Sequence, residues 1–519
     1  MATSTAQLDR PAWLETLRAR LTPAAAAARE TATDGRVYAL LAAAALALGA
    51  LSLLYPSTPT YDPWAWIIWG REIAHLDLQT TGGPSWKPLP VLFTTVFSIF
   101  GGIAPNLWLV VARGGAILAV LFAFRLGARL TERRWSLASV GAGIVAAVAV
   151  TISSEYVRTM TLGNSEGLLV AFVLWGIERH LDGRYRQAFV LGFLAALLRP
   201  EVWPFLGLYG LWLLLVDRRS LWLVATGFVL VPALWFLPEL WGSGNIWRAA
   251  DRAQQPNPNS PALAKHPFVK VLQQTWPLVI NPVKAAAAFA LALAAWAWIR
   301  ERRQGAVLAV GALAFAWIVL IAAMTQAGFS GNPRYIILGT SMIAVIGGVG
   351  FGRVVQLANA LAARTASPRL ALAAGVAAFA VLALATSHWA APRFRSWGDL
   401  DKALRYQAEL RYDLQHGLAQ VGGANAFESC GPVVAGKFSV PLVAWYLREH
   451  TLTVGLNPQP RGAIVAARTT NKASLVPQPP KPYPPGYAPI ATVRTTTLYA
   501  TCNPTPSARG RGAAGAARR

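Results

Sequence analysis

Three ionisable residues stand out in one short, tryptophan-rich part of this chain. Asp62 and Glu72 lie in the stretch TYDPWAWIIWGREIA, among three tryptophans, and Lys87 follows in WKPLP. A carboxylate in such a place is a candidate general base, which takes the proton of an attacking hydroxyl. Lys87 is a candidate partner for an anionic group. Each residue also has a structural alternative: Asp62 would cap the helix that follows it, and Lys87 would be an exposed lysine that reaches the membrane surface.

The composition of the chain is that of a membrane protein. It has 519 residues, of which 55% are hydrophobic and only 13% charged, with a mean hydropathy of +0.40. Soluble domains carry roughly a quarter of charged residues. The formal net charge of +24 would suggest nucleic acid in a soluble domain, but here the arginines cluster in short loops between apolar runs. The sequence therefore predicts a polytopic α-helical membrane protein without a nucleic-acid partner.

Apolar runs suited to crossing about 30 Å of hydrocarbon recur along the chain. We predict about eleven transmembrane helices, near residues 37–55, 107–124, 135–153, 167–178, 186–198, 202–216, 220–238, 284–299, 306–324, 335–351 and 369–387. The run 89–103 decides the orientation. If it lies in the membrane interface, the arginine-rich loops all fall on the side of the N-terminus, as the positive-inside rule requires. We therefore predict an interfacial 89–103, a cytoplasmic N-terminus and an extracytoplasmic C-terminal domain.

This orientation divides the chain into four regions. They are a cytoplasmic tail (1–36), a transmembrane domain (37–388), an extracytoplasmic α/β domain (389–506) and a disordered basic tail (507–519). The transmembrane domain has two long outer loops, 56–106 and 239–283. The second is rich in proline, asparagine and glutamine, and long structureless loops beside a site are often lids. We expect it to cover the acceptor side of a site.

A small α/β domain is predicted after residue 388, where the composition of the chain changes. We expect an amphipathic helix at 397–421, strands near 431–435, 452–456, 462–467 and 491–500, a helix at 439–449 and a proline-rich insert at 477–489. The only two cysteines, Cys430 and Cys502, both lie in this domain. A disulfide between them fits an oxidising exterior, and two free thiols are the alternative.

Other motifs indicate no cofactor. The six histidines are scattered and none pairs with a cysteine at a zinc-ligand spacing. The glycines of GGVGFG (347–352) follow no strand, so they favour close helix packing over a phosphate-binding loop. We predict no metal site and no required cofactor, although a divalent metal remains an alternative.

Several motifs follow one another in a fixed order on the predicted outer side. The early acid Asp62 is followed by GREI and by the Lys-Pro motif of Lys87. Further on come EYVRTMTLGNSEGLL, LLRPEVWPF and GNPRYIIL. This order resembles the GT-C superfamily of membrane glycosyltransferases, and within it the branch of protein O-mannosyltransferases and bacterial lipid A aminoarabinose transferases. The resemblance covers roughly residues 37–390. The family's Asp-Glu pair is Asp-Pro here, and its Lys-Pro-Pro-Leu motif is Lys-Pro-Leu-Pro.

The resemblance implies an inverting transfer of a sugar from a polyprenyl-phosphate donor to an acceptor hydroxyl at the outer face of the membrane. Because phosphate is a stable leaving group, one carboxylate is sufficient, and Asp62 is the expected general base. Lys87, Arg334 and Arg158 are the candidates for stabilising the donor phosphate, and Glu166 is a further substrate-binding candidate. The acceptor would be an envelope glycan, a glycolipid or a protein. The tryptophans beside Asp62 would either stack on sugars or anchor the membrane interface.

Two other functions remain open from the sequence. A flippase or transporter of lipid-linked sugars should have ionisable residues at the middle of its spans, whereas most charges here fall at span ends on the outer face. A GT-C-like scaffold that binds wall polymer without turnover is kept open by the missing second acid. Glu166 and Arg334 would then be ordinary interface residues.

Overall fold

The computed structural model of the protein describes residues 35–364, 367–468, 470, 473–478 and 486–504. This part of the chain is mostly helical, with one small sheet near the C-terminus. Its α-helices are α1 (Gly35–Leu51), α2 (Tyr61–Ala74), α3 (Pro88–Phe97), α4 (Ala104–Thr131), α5 (Leu137–Thr151), α6 (Ser154–Thr161), α7 (Glu166–Leu181), α8 (Tyr185–Ala196), α9 (Trp203–Val216), α10 (Leu221–Ser243), α11 (Arg248–Ala253), α12 (Pro267–Thr275), α13 (Asn281–Glu301), α14 (Gly305–Gln326), α15 (Ile337–Ala362), α16 (Pro368–Gln420), α17 (Ala424–Glu428) and α18 (Val440–Leu447). Its strands are β1 (Val433–Ala435), β2 (Ala463–Arg468), β3 (Leu475–Val476), β4 (Ala488–Val493) and β5 (Thr496–Ala500).

Seven helical segments of the described chain are long and apolar enough to cross a membrane. They are Gly35–Leu54, Pro88–Thr131, Arg218–Ser243, Asn281–Glu301, Gly305–Gln326, Pro333–Ala362 and Pro368–Gln420. Helices α5 and α6 meet at 67° and give an eighth if they form one broken span.

Every predicted span contains a helix, but the count of eleven is not confirmed. The predicted spans 167–178, 186–198 and 202–216 form α7, α8 and α9, which have 16, 12 and 14 residues. At 1.5 Å per residue these helices cover only roughly 18–24 Å. A hydrocarbon core of about 30 Å requires about 20 residues, so none of the three crosses it fully by length alone.

The run 89–103 forms the ten-residue helix α3 and a 3₁₀ segment that leads into α4. Gly101 interrupts the helical path with φ 58° and ψ −126°. Ten residues cover roughly 15 Å, which is too short to cross the membrane. Leu92, Val96 and Ile99 expose their side chains. These features favour the predicted interfacial position.

Helix α15 lies at the centre of the transmembrane bundle, and 89% of its most apolar window is buried. Its glycines allow neighbouring backbones to approach closely. A methyl group at Gly350 would overlap the carbonyl oxygen of Ala286 in α13, and one at Gly348 would overlap that of Ala142 in α5. The GGVGFG motif therefore packs helices, as predicted, since small residues permit such contacts.

One helix runs from the membrane into the C-terminal domain. The predicted span 369–387 and the predicted helix 397–421 are parts of the single 53-residue helix α16, so the prediction of two elements is wrong. Pro392 suggested a break, because proline removes a backbone donor and usually ends or kinks a helix. Here the helix continues on both sides of it. The predicted domain boundary at 388–389 thus falls within a continuous helix.

The C-terminal sheet has the strand order β1-β2-β5-β4, with β3 paired to β2. β1 and β2 are parallel, and the other pairs are antiparallel. The predicted strand 491–500 is a hairpin of β4 and β5, and α18 corresponds to the predicted helix 439–449. The predicted strand 452–456 is absent from the described residues, where only an isolated bridge joins Gly455 to Val434.

A disulfide joins Cys430 to Cys502, as predicted, with their Cα atoms 5.4 Å apart. It connects the segment before β1 with a residue two positions after the end of β5. The predicted disordered tail 507–519, nearly all of the tail 1–36 and the centre of the insert 477–489 lie outside the described residues.

The C-terminal domain packs directly on the outer loop 56–106. Ile68 of α2 belongs to the hydrophobic core of this domain. The imidazole of His450 lies 2.7 Å from Glu72 Oε1 and 3.2 Å from Asp77 Oδ2. Arg71 donates a 2.7 Å hydrogen bond to the carbonyl of Glu449. These contacts place the loop and the domain on the same side of the bundle, as the predicted topology requires.

Candidate active site

Asp62 lies in the first turn of α2, but it is not the helix cap. Thr60 occupies the N-cap position, and no side chain caps this helix. The carboxylate of Asp62 instead accepts a 2.6 Å hydrogen bond from Arg334 Nη2. The Asp62 side chain is 16% exposed. The capping alternative therefore does not account for this acid.

Arg334 connects Asp62 to the start of α7. It lies in the 3₁₀ turn Pro333–Ile336 that leads into α15. Its Nη1 donates a 2.6 Å hydrogen bond to Asn164 Oδ1, and its Nε lies 3.9 Å from Glu166 Oε1. Since aligned guanidinium–carboxylate hydrogen bonds are strong, Arg334 fixes the carboxylate of Asp62 in the free protein.

Glu166 lies at the centre of three cations. Its carboxylate is 3.9 Å from Lys87 Nζ and accepts a 3.0 Å hydrogen bond from Arg199 Nη2. Arg199 also donates a 2.8 Å hydrogen bond to Glu201. The Glu166 side chain is 1% exposed, so this cluster is inside the protein. A carboxylate at this depth is stabilised only by such partners.

Lys87 is held between the ring of Trp66 and the start of α7. Its ammonium lies 5.0 Å from the ring centroid of Trp66 and donates a 3.2 Å hydrogen bond to Ser165 Oγ. Burial lowers the pKa of Lys87 to about 8, although the Glu166 carboxylate opposes this shift. The lysine is therefore not the exposed side chain of the alternative interpretation.

The site is balanced in formal charge but not in hydrogen bonding. Its three inner cations, Lys87, Arg199 and Arg334, face three acids, Asp62, Glu166 and Glu201. In the described chain the buried atoms Arg199 Nε, Glu166 Oε2 and Glu201 Oε2 have no hydrogen-bond partner. Buried polar atoms without partners are rare in folded proteins, and they are expected where a ligand binds.

A cavity of about 540 Å³ opens over these groups. Asp62, Lys87, Arg199, Glu201 and Arg334 line its polar part. Its apolar part is lined by Trp203, Trp235, Phe236, Ile321, Met324 and Phe329. This volume is in the usual range of a small-molecule site, and the combination of an apolar wall with a few charged groups suits an amphipathic ligand.

The structure brings four of the five predicted site residues together and leaves the fifth apart. Asp62, Lys87 and Arg334 line the cavity, and Glu166 lies directly behind them. Arg158 lies on α6, where its side chain is 55% exposed and 3.9 Å from Glu155. It does not line the cavity.

Two site residues were not selected from the sequence. Arg199 and Glu201 follow the apolar run of α8 in LLRPEV, and both are at least 93% buried. The signal that would have pointed to them is an Arg–Pro–Glu sequence at the end of an apolar run. The fold must bury both of its charges. Asn164, which orients Arg334, has no comparable signal.

The loop 239–283 is ordered and attached to the loop of Lys87. It contains α11 and α12, so the prediction of a structureless segment is wrong. Arg248 donates hydrogen bonds to the carbonyl oxygens of Pro84 (2.5 Å), Gly82 (3.0 Å) and Gly83 (3.0 Å). These carbonyls are acceptors that a surface loop would otherwise leave to water. The loop covers one side of the cavity through 249–257.

Within the described residues, no group of three or more histidines, cysteines, aspartates or glutamates is arranged to hold a metal ion. The three acids of the site are each matched by an arginine or a lysine.

Comparison with known proteins identifies the architecture. No protein-family model and no curated protein sequence matches the chain. Among solved structures it is similar to ArnT from Cupriavidus metallidurans, both bound to undecaprenyl phosphate and in the apo state. Each match has a TM-score of 0.50 and 14% sequence identity, and covers 91% of this chain and 99% of the ArnT chain. This chain has the GT-C fold.

The GT-C fold confirms the resemblance that the motifs indicated, at the level of architecture. The chain is a multi-pass membrane protein of this fold, with a small C-terminal α/β domain. The match extends over nearly the whole ArnT chain, so it includes the outer loops and not only the bundle.

Proposed function

We propose that this protein is a glycosyltransferase that moves a sugar from a polyprenyl-phosphate donor to an acceptor hydroxyl at the outer face of the membrane. The observation that carries the proposal is the cavity in which Asp62 and three cations, each at most 20% exposed, lie beside an apolar wall. The N-terminus would be cytoplasmic and the C-terminal domain extracytoplasmic. The acceptor would belong to an envelope glycan, a glycolipid or a protein.

The donor proposal rests on the two kinds of surface in the cavity. A polyprenyl-phosphate sugar has an apolar chain, which suits Trp203, Trp235 and Phe236. Its phosphate diester has one negative charge, which suits Lys87 and Arg334. The ArnT structure bound to undecaprenyl phosphate has the same fold, and this supports a ligand of that class.

In the proposed reaction the acceptor oxygen attacks the anomeric carbon from the face opposite the phosphate. The bond between that carbon and the phosphate oxygen breaks, and its electron pair leaves with the phosphate. Asp62 takes the acceptor proton. The configuration at the anomeric carbon inverts, and polyprenyl monophosphate is released with one additional negative charge, which the inner cations stabilise.

Arg334 has two partners in this scheme. In the free protein its Nη2 donates a 2.6 Å hydrogen bond to Asp62, which occupies Oδ2 of the carboxylate. The donor phosphate would compete for the same guanidinium and release Asp62 for the acceptor hydroxyl. The proposal therefore predicts that donor binds before acceptor.

The test is sugar transfer by the purified protein in detergent, with synthetic polyprenyl-phosphate sugars and an envelope extract as the acceptor. We expect loss of labelled sugar from the donor and its appearance in the extract, in wild type but not in Asp62→Asn. Binding of the donor without any chemistry, combined with its movement across vesicle membranes, would instead indicate a flippase. Binding of wall polymer without donor chemistry would indicate a non-catalytic scaffold.

A further inference from the structure

The C-terminal domain reaches the cavity through one short loop. Lys437 and Phe438, between β1 and α18, line the cavity together with Asp62. Among the described residues after 388, only these two do so. They belong to no motif of the resemblance, which ends near residue 390.

The position of this loop is fixed by the packing of α18 on α2. The ring of Trp445 lies 6.1 Å from that of Trp64, and the carbonyl of Glu449 accepts the hydrogen bond from Arg71. Residue numbers therefore increase in the same direction along the two helices. The start of α18, and the loop before it, consequently lie beside the start of α2, where Asp62 is.

The two loop residues present a cation and an aromatic ring at the cavity. Phe438 is 65% exposed, and it is among the residues that line the cavity. Lys437 is exposed and has no hydrogen-bond or ion-pair partner in the described part of the chain. Aromatic rings stack on the apolar faces of sugars, and lysine binds anionic groups as a point charge.

The charges in the cavity wall and directly behind it exceed what one donor phosphate would neutralise. Lys87, Arg199 and Arg334 are balanced by Asp62, Glu166 and Glu201. Arg252 and Lys437 also line the cavity, which raises its formal charge to +2. A donor phosphate diester neutralises one of these charges, and one remains.

We propose that Lys437 and Phe438 form an acceptor subsite for a saccharide with an anionic group, a phosphate or a carboxylate. This proposal rests on the proposed function. Phe438 stacks on the acceptor ring, and Lys437 binds its anionic group. Both act from the outer domain, while Asp62 and the inner cations act from the membrane domain.

The test measures binding of short synthetic acceptors to the full-length protein in lipid nanodiscs by calorimetry. Three butyl glycosides of the same disaccharide serve as probes: a neutral one, a 6-phosphate and a uronate. We expect wild type to bind the anionic probes about tenfold more tightly than the neutral one, as a charge-assisted contact requires. The two anionic probes distinguish phosphate from carboxylate.

Two variants test whether the preference for the anionic probes comes from Lys437 and Phe438. Lys437→Gln is expected to remove the preference and leave the neutral affinity unchanged, whereas Phe438→Leu should weaken the binding of all three probes. Lys402→Gln is the matched control, because Lys402 is 81% exposed and pairs only with Asp399 outside the cavity. Absence of binding by every probe, or a preference that persists in Lys437→Gln, would overturn the proposal.

Binding of undecaprenyl phosphate, measured in parallel, separates this proposal from the general function. It should be unchanged in Lys437→Gln. If it falls, Lys437 belongs to the donor site and the acceptor assignment is wrong. If wild type fails to bind undecaprenyl phosphate but retains the charge preference, the proposed donor is wrong and the subsite stands.

Discussion

Replacing Asp62 by asparagine should have two opposite effects, on turnover and on donor affinity. Without a carboxylate to take the proton, turnover should fall by about 10²–10⁴-fold, the usual contribution of a general base. This corresponds to roughly 3–5 kcal/mol of transition-state stabilisation. Asparagine keeps the size of the side chain, and Thr60 rather than Asp62 occupies the N-cap of α2, so the fold should survive.

Donor affinity should rise in the same variant. Arg334 is 2.6 Å from Asp62 in the free protein, and a donor phosphate must compete with that carboxylate for it. Both side chains are at most 20% exposed, so solvent screens the pair weakly. Asparagine still accepts a hydrogen bond but has no charge. We therefore expect undecaprenyl phosphate to bind about three- to tenfold more tightly, or ~0.6–1.4 kcal/mol.

The assays are single-turnover transfer at saturating donor and equilibrium binding of undecaprenyl phosphate. Asp77→Asn is the matched control, because Asp77 lies in the same outer loop, is 74% exposed and contacts His450 rather than the cavity. It should change neither quantity. Near wild-type turnover in Asp62→Asn would refute the assignment of the base, and weaker donor binding would refute the competition for Arg334.

Three further predictions concern charge, topology and motion. Protonated Lys87 binds the anion, and its pKa in the free protein is about 8, so donor affinity should be highest below that pH and should fall as the pH rises through it. Lys87→Arg should abolish this decline in a binding titration, because arginine stays charged. A decline that persists in the variant would assign the pH dependence to another group. In intact cells an impermeant thiol reagent should label Asn257→Cys but not Arg302→Cys, and the reverse pattern would invert the proposed orientation. Hydrogen exchange in the segment 239–283 should slow when donor binds, since this loop lines the cavity, and unchanged exchange would make it a passive wall.

The sequence brought four of the five predicted site residues to the same part of the fold, because the predicted side of the membrane restricts the possibilities. Asp62, Lys87, Glu166 and Arg334 all lie at the ends of helices or in loops on one side of the bundle. The positive-inside bias assigns that side without any knowledge of the packing. Charged residues gathered at one level of a bundle are then forced to pair, as they do here.

The position of each side chain relative to the cavity was not predictable from the side of the membrane alone. Arg158 lies on the predicted outer side but does not line the cavity, and its side chain is 55% exposed beside Glu155. Arg199 stands in LLRPEVWPF, one of the motifs of the resemblance, but its burial and its ion pair with Glu166 were not predicted. The continuity of α16 through Pro392 was likewise not predictable from the local preference of proline to end a helix.

The charge balance of the site explains why a single acid is sufficient for the proposed reaction. Before transfer, three cations face three carboxylates and a phosphate diester of charge −1. After transfer the phosphate has charge −2, but Asp62 has gained the acceptor proton and is neutral. The total charge of these groups is the same before and after transfer, so the reaction adds no further charge to the poorly solvated cavity. Negative charge thus shifts from Asp62 to the phosphate. Arg334 is placed to pair with either group, since it contacts Asp62 and approaches Glu166 beside Lys87. It would neutralise the carboxylate before the reaction and the phosphate during it.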